Sequence, residues 1–348
     1  MKATLRVVTS NTSAMGEVES PSNVEPLTPK DETTMRSILE RDYIENAENG
    51  EAQSHHSIVT VAASVHKPSP SKDRQELLVR ICACSMSSLN DLNLGKRKRA
   101  DEDTAFWDVV GIIEEASELT DGSGVMKVGD MVLATSVSLE INGVPEYAIV
   151  PAKCSVRVPI KVNPVEAAAC SDAAIALAMI NQVRIGDRVM IIGGGSTSIG
   201  AAAIQLAKIA GASYIATTTG SLVHQVKRTT EVNDVITEEI DWTKEPKYLE
   251  EKFDKIIYVT READASEKAE KVLKSTNEGG QFVKLSSFND KNTDVQCLTR
   301  ILRLLEEEKL SILLDPASPL PFSEEGVESA YDILTSGSAR GRVVVKIC

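Results

Sequence analysis

"MIIGGGSTSIGAAAIQLAKIAGA", residues Met190 to Ala212, is the stretch on which the reading of this chain turns. Its apolar start, with Val189 to Ile192, reads as a buried strand of a doubly wound sheet. Glycines then allow a tight turn, and a helix of small residues follows from Gly200, with Ala201, Ala202 and Ala203 permitting close packing. Such a helix directs its free amides and positive end toward an anion. Gly211 suits the helix end. A nucleoside-triphosphate loop needs Lys and then Ser or Thr after its last glycine; Ala201 and Ala202 stand there, which removes that use. A dinucleotide fingerprint G-x-G-x-x-G would fall on Gly195, Thr197 and Gly200, so its middle glycine is a threonine. The rival reading is a glycine-rich strand–helix turn that binds nothing.

On either side of this unit the pattern changes. Before residue 157 short β-type runs dominate: Ser57–Val65, Glu76–Cys84, Val109–Ala116, Asp130–Thr135 and Glu146–Ala152, a pattern that suggests a barrel-like domain. After it, "SYIATT", "DVIT", "DKIIYVT" and "GGQFVKLSS" alternate with helical stretches such as Ala265–Thr276, which implies a parallel sheet with right-handed crossovers. The tail returns to strand, one helix and a closing strand, so the C-terminal piece is expected to complete the N-terminal fold. Residues 17–54 form a polar, acidic insertion. One helix is expected in it, with Thr28 as cap, Pro29 in the first turn, and Met35, Ile38, Leu39 and Tyr43 on one face. The insertion reads as a tolerated surface segment or as a lid or protein-binding arm.

Composition bounds the function. A chain of 348 residues, 42% hydrophobic and 26% charged, has room for two domains with cores. The net charge of -13 argues against coating nucleic acid or an anionic membrane. Six scattered cysteines without a C-x-x-C pair give neither a disulfide framework nor a zinc ribbon, and fit a reducing, cytoplasmic setting. Cys82 and Cys84 read as small buried thiols of an apolar strand. No apolar run reaches membrane-spanning length. "MKATLRVV" lacks the apolar core of a secretory signal, while an organellar leader stays open. "GKRKRADED", with Lys96–Arg99, reads as a solvated loop or as a nuclear-import patch.

Quoted together, "VGIIEEASELTDGSGVMKVGDMVLATS", "GVPEYAIVPA", "VNPVEAAACSDAAIALAMINQVRIGDRVMIIGGGSTSIGAAAIQLAKIAGA" and "ARGRVVVKI" resemble the medium-chain dehydrogenase/reductase superfamily, nearest its zinc-free quinone oxidoreductase and enoyl reductase branch. The resemblance covers residues 57 to 348, and Met1–Val8 would be its first strand. It implies an α/β fold: a Rossmann-type doubly wound parallel sheet inserted into a GroES-like, mostly β catalytic domain. The catalytic domain would be residues 1–157 plus 310–348, and the dinucleotide-binding domain residues 158–309. It also implies that Gly194, Gly195, Ser196, Thr197, Ser198, Ile199 and Gly200 sit on a cofactor pyrophosphate. The threonine then marks a version of the site, with hydroxyls of Ser196, Thr197 and Ser198 as added donors. A homodimer is expected from the resemblance alone.

NAD sites usually carry an acid at the end of the second strand. From Ser213 to Ser221 this chain has none; Thr217, Thr218, Thr219 and Ser221 supply hydroxyls, and Lys227 with Arg228 supplies charge or a solvated helix face. NADPH is therefore expected over NADH. For metal, the superfamily's zinc positions fall on Ser87, on Trp107 of Phe106-Trp107-Asp108, and at or near Asp172. Serine and tryptophan are unsuited to zinc, so none is expected. Without a Lewis acid, hydride transfer suits a quinone or an α,β-unsaturated carbonyl, whose conjugation already carries charge to oxygen. Ser87, Ser88, Asn90 and Ala176 are the pocket candidates; Val259, Thr260, Leu285 and Ser286 are candidate neighbours of the nicotinamide. No acid residue declares itself as proton donor. Two further readings stay open: a nucleotide-binding pseudoenzyme or assembly subunit, and an enoyl reductase acting on acyl chains beside a synthase.

Overall fold

The computed structural model describes residues 34–44, 55–71, 74–86, 106–116, 126–138, 143–195, 197–218, 232–237, 240–259, 265–285, 295–336 and 338–348. The first described element departs from expectation. Thr34–Ile44 is a strand, β1, antiparallel to β2 (His55–His66), where a helix over Met35, Ile38, Leu39 and Tyr43 was expected. Its partners decide the matter: β2 pairs along its length and β6 (Gly143–Pro145) holds its other edge. Neither partner is visible in a local window of sequence. The His55–His56 doublet opens β2 opposite Ile44 and Tyr43.

The main antiparallel sheet is built from β3 (Glu76–Met86), β4 (Phe106–Ala116), β5 (Met131–Ser138), β7 (Tyr147–Pro151) and β8 (Ser155–Arg157). Leu77, Leu78, Val79 and Ile81 through Ser85 are all buried, so β3 is covered on both faces and its sequence runs apolar instead of alternating. Cys82 and Cys84 are buried there as expected; burial first, then contact with Cys348, pushes the Cys82 thiol up to about 12.

Two helices lead out of this sheet, α1 (Pro164–Ala168) and α2 (Cys170–Met179). The parallel layer follows as β9 (Arg188–Ile192), α3 (Ser198–Ile209), β10 (Tyr214–Thr218), β11 (Asp234–Ile236), α4 (Pro246–Glu250), β12 (Lys255–Tyr258), α5 (Ala265–Val272), β13 (Gln281–Lys284) and α6 (Val295–Glu306). Spatial order is β11-β10-β9-β12-β13, with every pairing parallel. The chain steps outward from β9 to β11, then returns to the other side of β9 for β12. The reversal between β9 and β12 is where such sheets open a crevice beyond their carboxyl ends. Helix α6 shows an apolar period, with Leu298, Ile301, Leu302 and Leu305 buried.

The tail supplies β14 (Leu320–Pro321), α7 (Glu324–Thr335) and β15 (Val343–Lys346). Strand β15 pairs antiparallel with β3 over Ala83–Met86, while β7 takes the same edge over Glu76–Arg80. Between the two, the Cys82 carbonyl accepts from the amides of Ile347 (2.8 Å) and Cys348 (3.2 Å). Strands β3, β4, β5, β7 and β8 before the parallel layer and β14 and β15 after it thus share one sheet. One apolar core joins the two: Val189, Ile191 and Ile257 of the parallel sheet pack in the same cluster as Ala83, Val110, Leu133 and Val344. Among the described residues no helix is long and apolar enough to cross a membrane.

Candidate functional site

The crevice begins at the turn after β9. Gly193 takes φ +81°, a left-handed conformation that glycine adopts without a Cβ clash, and its amide donates to Thr218 Oγ1 at 2.8 Å. A Cβ on Gly200 would stand 2.5 Å from Gly194 Cα and 2.6 Å from its carbonyl oxygen, so the turn and the first helical turn touch backbone to backbone. Only hydrogen fits at that contact. Beneath it, the Thr217 hydroxyl is buried and donates to the Ile191 carbonyl at 2.8 Å. Thr217 therefore props the turn from below; where the sequence suggested a hydroxyl free for a 2′-phosphate, this one is buried and already donates to the turn strand. Thr218 accepts the Gly193 amide and lies half-buried at the strand end.

Helix α3 starts at Ser198, two residues before Gly200, because Thr197 caps it. Thr197 Oγ1 accepts from the Gly200 amide at 3.0 Å, and its carbonyl accepts from Ala201 at 2.9 Å. The amides of Ser198 and Ile199 then have no acceptor within the helix, and the positive end of α3 lies with them. Two donors are an ordinary match for a phosphate oxygen. Of the hydroxyls expected as added donors, Thr197 Oγ1 accepts the cap bond and keeps its own O–H to donate, while Ser198 donates to Asp172 Oδ2.

Behind the helix head lies a buried polar network. Arg342 Nη2 donates to Asp108 Oδ2 (2.7 Å) and Ser171 Oγ (3.1 Å), Nη1 to Asp172 Oδ1 (3.1 Å), and Nε to Ser85 Oγ (3.1 Å). Ser171 in turn donates to Asp108. These five side chains are all buried. They come from β3, β4, the start of α2 and the residue before β15, so the network reaches from the antiparallel sheet to α2, and Asp172 carries it on to the head of α3. Sequence reasoning noted Asp108 only as part of the Phe106-Trp107-Asp108 triplet and Asp172 only as at or near a zinc position, and missed Arg342. An Asp between apolar runs in "FWDVVGII" was the signal that a buried counter-charge had to exist.

A metal does not fit these residues. Asp172, where the resemblance puts a third ligand, and Asp108, beside Trp107, already share a guanidinium. A dication would have to sit against that positive charge. Among the described residues no three His, Cys, Asp or Glu side chains gather as donors.

Of the remaining candidates, Val259 is buried at the end of β12, its amide donating to the Ile192 carbonyl at 3.0 Å, so it flanks the turn. Gly194 and Gly195 are buried in the turn, Ile199 is half-buried at the helix head, and Leu285 is half-buried just past β13. Ala176 is fully enclosed within α2 and brings no donor. Ser87, Ser88, Asn90, Ser196, Thr219, Ser221, Lys227, Thr260 and Ser286 lie outside the described residues, as do Arg228 and Lys96–Arg99.

No protein-family model matches the chain. A 2-methylene-furan-3-one reductase of Solanum lycopersicum is 27% identical over 298 residues, covering 79% of this chain and 73% of that protein. Among solved structures, a Sinorhizobium meliloti protein provisionally called a zinc-binding dehydrogenase, bound to NADP, matches with a TM-score of 0.67 at 17% identity, covering 90% of this chain and 99% of that one. The quinone oxidoreductase from Coxiella burnetii matches with a TM-score of 0.62 at 18% identity, over 90% of this chain and 100% of that one.

Proposed function

We propose that this chain is a member of the medium-chain dehydrogenase/reductase superfamily and an NADPH-dependent, metal-independent oxidoreductase reducing a quinone or an α,β-unsaturated carbonyl. The observation that carries the reading is a glycine turn in backbone contact with a capped helix head, at the switch point of a five-stranded parallel sheet, where such folds bind their ligands. The amides of Ser198 and Ile199 would hold the cofactor diphosphate, and Gly193–Gly195 would let its backbone approach closely. Val259 would wall the crevice on the β12 side. When bound, the reduced nicotinamide supplies the hydride. The chain's own residues bind, orient and exclude water.

Preference for NADPH rests on the strand end Tyr214–Thr218, which carries no acid to repel a 2′-phosphate. Independence from metal rests on the Arg342 pairing of Asp108 and Asp172. Electron-poor acceptors follow, since conjugation delivers charge to the acceptor oxygen without a Lewis acid. The tomato relative, named for an enone reduction, supports the same class.

The test is protein melting with NADPH and NADH, then turnover on a panel of quinones, enones and acyl thioesters. At a hundredfold excess over Kd the favoured cofactor stabilises the fold by about 2.7 kcal/mol. NADPH is expected to do so at far lower concentration than NADH. Thr197→Asp provides the control: Asp caps helices as well as Thr, so the fold stays, while its charge faces the diphosphate and binding is lost. Unchanged affinity in that variant would place the cofactor elsewhere. Binding without turnover across the panel would support the pseudoenzyme reading, and turnover of acyl thioesters alone the acyl enoyl reductase.

A further inference from the structure

Asp172 is built into the fold as a strut. One carboxylate oxygen accepts from Arg342 Nη1 at 3.1 Å; the other accepts from the Ser198 hydroxyl, on the first residue of α3. Arg342 is itself held from three further sides, by Ser85, Asp108 and Ser171, so its guanidinium has little room to turn. The relative exposures of Arg342 (6%), Asp108 (4%) and Asp172 (8%) put these charge-assisted bonds where water competes least. We propose that Arg342 is a positioning residue: acting through Asp172 and Ser198, it fixes the head of α3 in the orientation that receives a cofactor diphosphate.

The chemistry calls for such a group. Asp172 stands at the positive end of α3, and an unpaired carboxylate there would repel an incoming diphosphate. Pairing with Arg342 offsets that charge and leaves the carboxylate free to act as an acceptor for Ser198. The hydroxyl so held cannot swing across the Ser198 and Ile199 amides. The guanidinium therefore does two things at a distance, screening the carboxylate and orienting the helix head, and touches neither cofactor nor substrate in doing so. The diphosphate arm of this proposal rests on the nicotinamide reading above; the helix-head arm does not.

Two variants test it. Arg342→Lys keeps one positive charge, so the buried carboxylates are not stranded, but a single ammonium cannot reproduce the fork. Ser198→Ala cuts the last link and leaves every charge in place. In the protein without cofactor, both are expected to speed amide hydrogen exchange at Gly200 and Ala201 on the order of tenfold, the scale of one lost hydrogen bond to a charged group. Both are expected to weaken NADPH by about the same factor, and the double variant no more than the worse single one, because the losses share one path. Tyr248→Phe, which loses a hydrogen bond to Asp234 away from the crevice, is the stability control: its Tm falls while exchange at Gly200 and NADPH affinity hold. Lower Tm in Arg342→Lys with unchanged exchange at the helix head would overturn the proposal and leave Arg342 merely structural. Losses that multiply in the double variant would also overturn it. If the wild type binds neither NADPH nor NADH, the proposed function falls, and the exchange comparison alone still decides whether Arg342 positions the helix.

Discussion

At Thr197 and Gly200 a single atom separates a working turn from a blocked one. The missing middle glycine proved to be a cap: Thr197 Oγ1 takes the Gly200 amide and starts α3 early. Gly200 permits no such exchange, because its missing Cβ would lie within 2.8 Å of three Gly194 backbone atoms. Gly200→Ala is expected to destabilise the protein by about 1–3 kcal/mol through overpacking, read as a lower urea midpoint with an unchanged slope. An unshifted midpoint would mean that the turn relaxes away from the helix. The need for a small residue at Gly200 was legible from spacing; the cap at Thr197 was not. Nor was the role of Thr217, since a strand buried on both faces gives no sign of which way a hydroxyl points.

Among elements, β11 and α4 show how a short strand is held at a sheet edge. Asp234 at the start of β11 accepts from the Tyr214 hydroxyl (3.3 Å) and from Lys247 and Tyr248 of α4. Burial alone would raise its pKa, but the bonds from Lys247 and Tyr248 outweigh it and hold the carboxyl below its ordinary value of 3.8. A carboxyl more acidic in the folded state adds stability that is present above its unfolded pKa and lost as pH falls through its folded one. Tyr248→Phe is thus expected to cost about 1 kcal/mol at neutral pH. Wild type and variant should converge as acid protonates Asp234, and denaturant titrations at neutral and acid pH check both parts. A gap that stays constant with pH would show that the loss does not depend on the charge of Asp234. Strands β9, β10, β12 and β13 were readable from apolar runs between helices. Strand β1 was not: its apolar residues fit a helical face, and only its distant partners β2 and β6 make it a strand.

For the molecule as a whole, the shared core outweighs the division by sequence. Apolar residues of both sheets, α2 and α6 form one cluster, and the Arg342 network crosses the same boundary. One cooperative thermal transition is expected by calorimetry, moved as a unit by cofactor. Two resolved peaks, only one of them cofactor-sensitive, would show that the layers unfold separately. The insertion of an α/β layer into a β framework was legible because the pattern of elements changes twice along the chain. The Arg342 network was illegible because its partners Asp172 and Asp108 lie 170 and 234 residues away, beyond any periodicity.

That separation imposes an order of birth. A ribosome delivers Ser85, Asp108 and Asp172 long before it delivers Arg342, and β15 arrives after everything it must pair with. Until then the nascent chain holds two acids with no guanidinium to meet them and a sheet with one edge open over Ala83–Met86. Strand β15, made long after its partner β3, is the one that closes that edge.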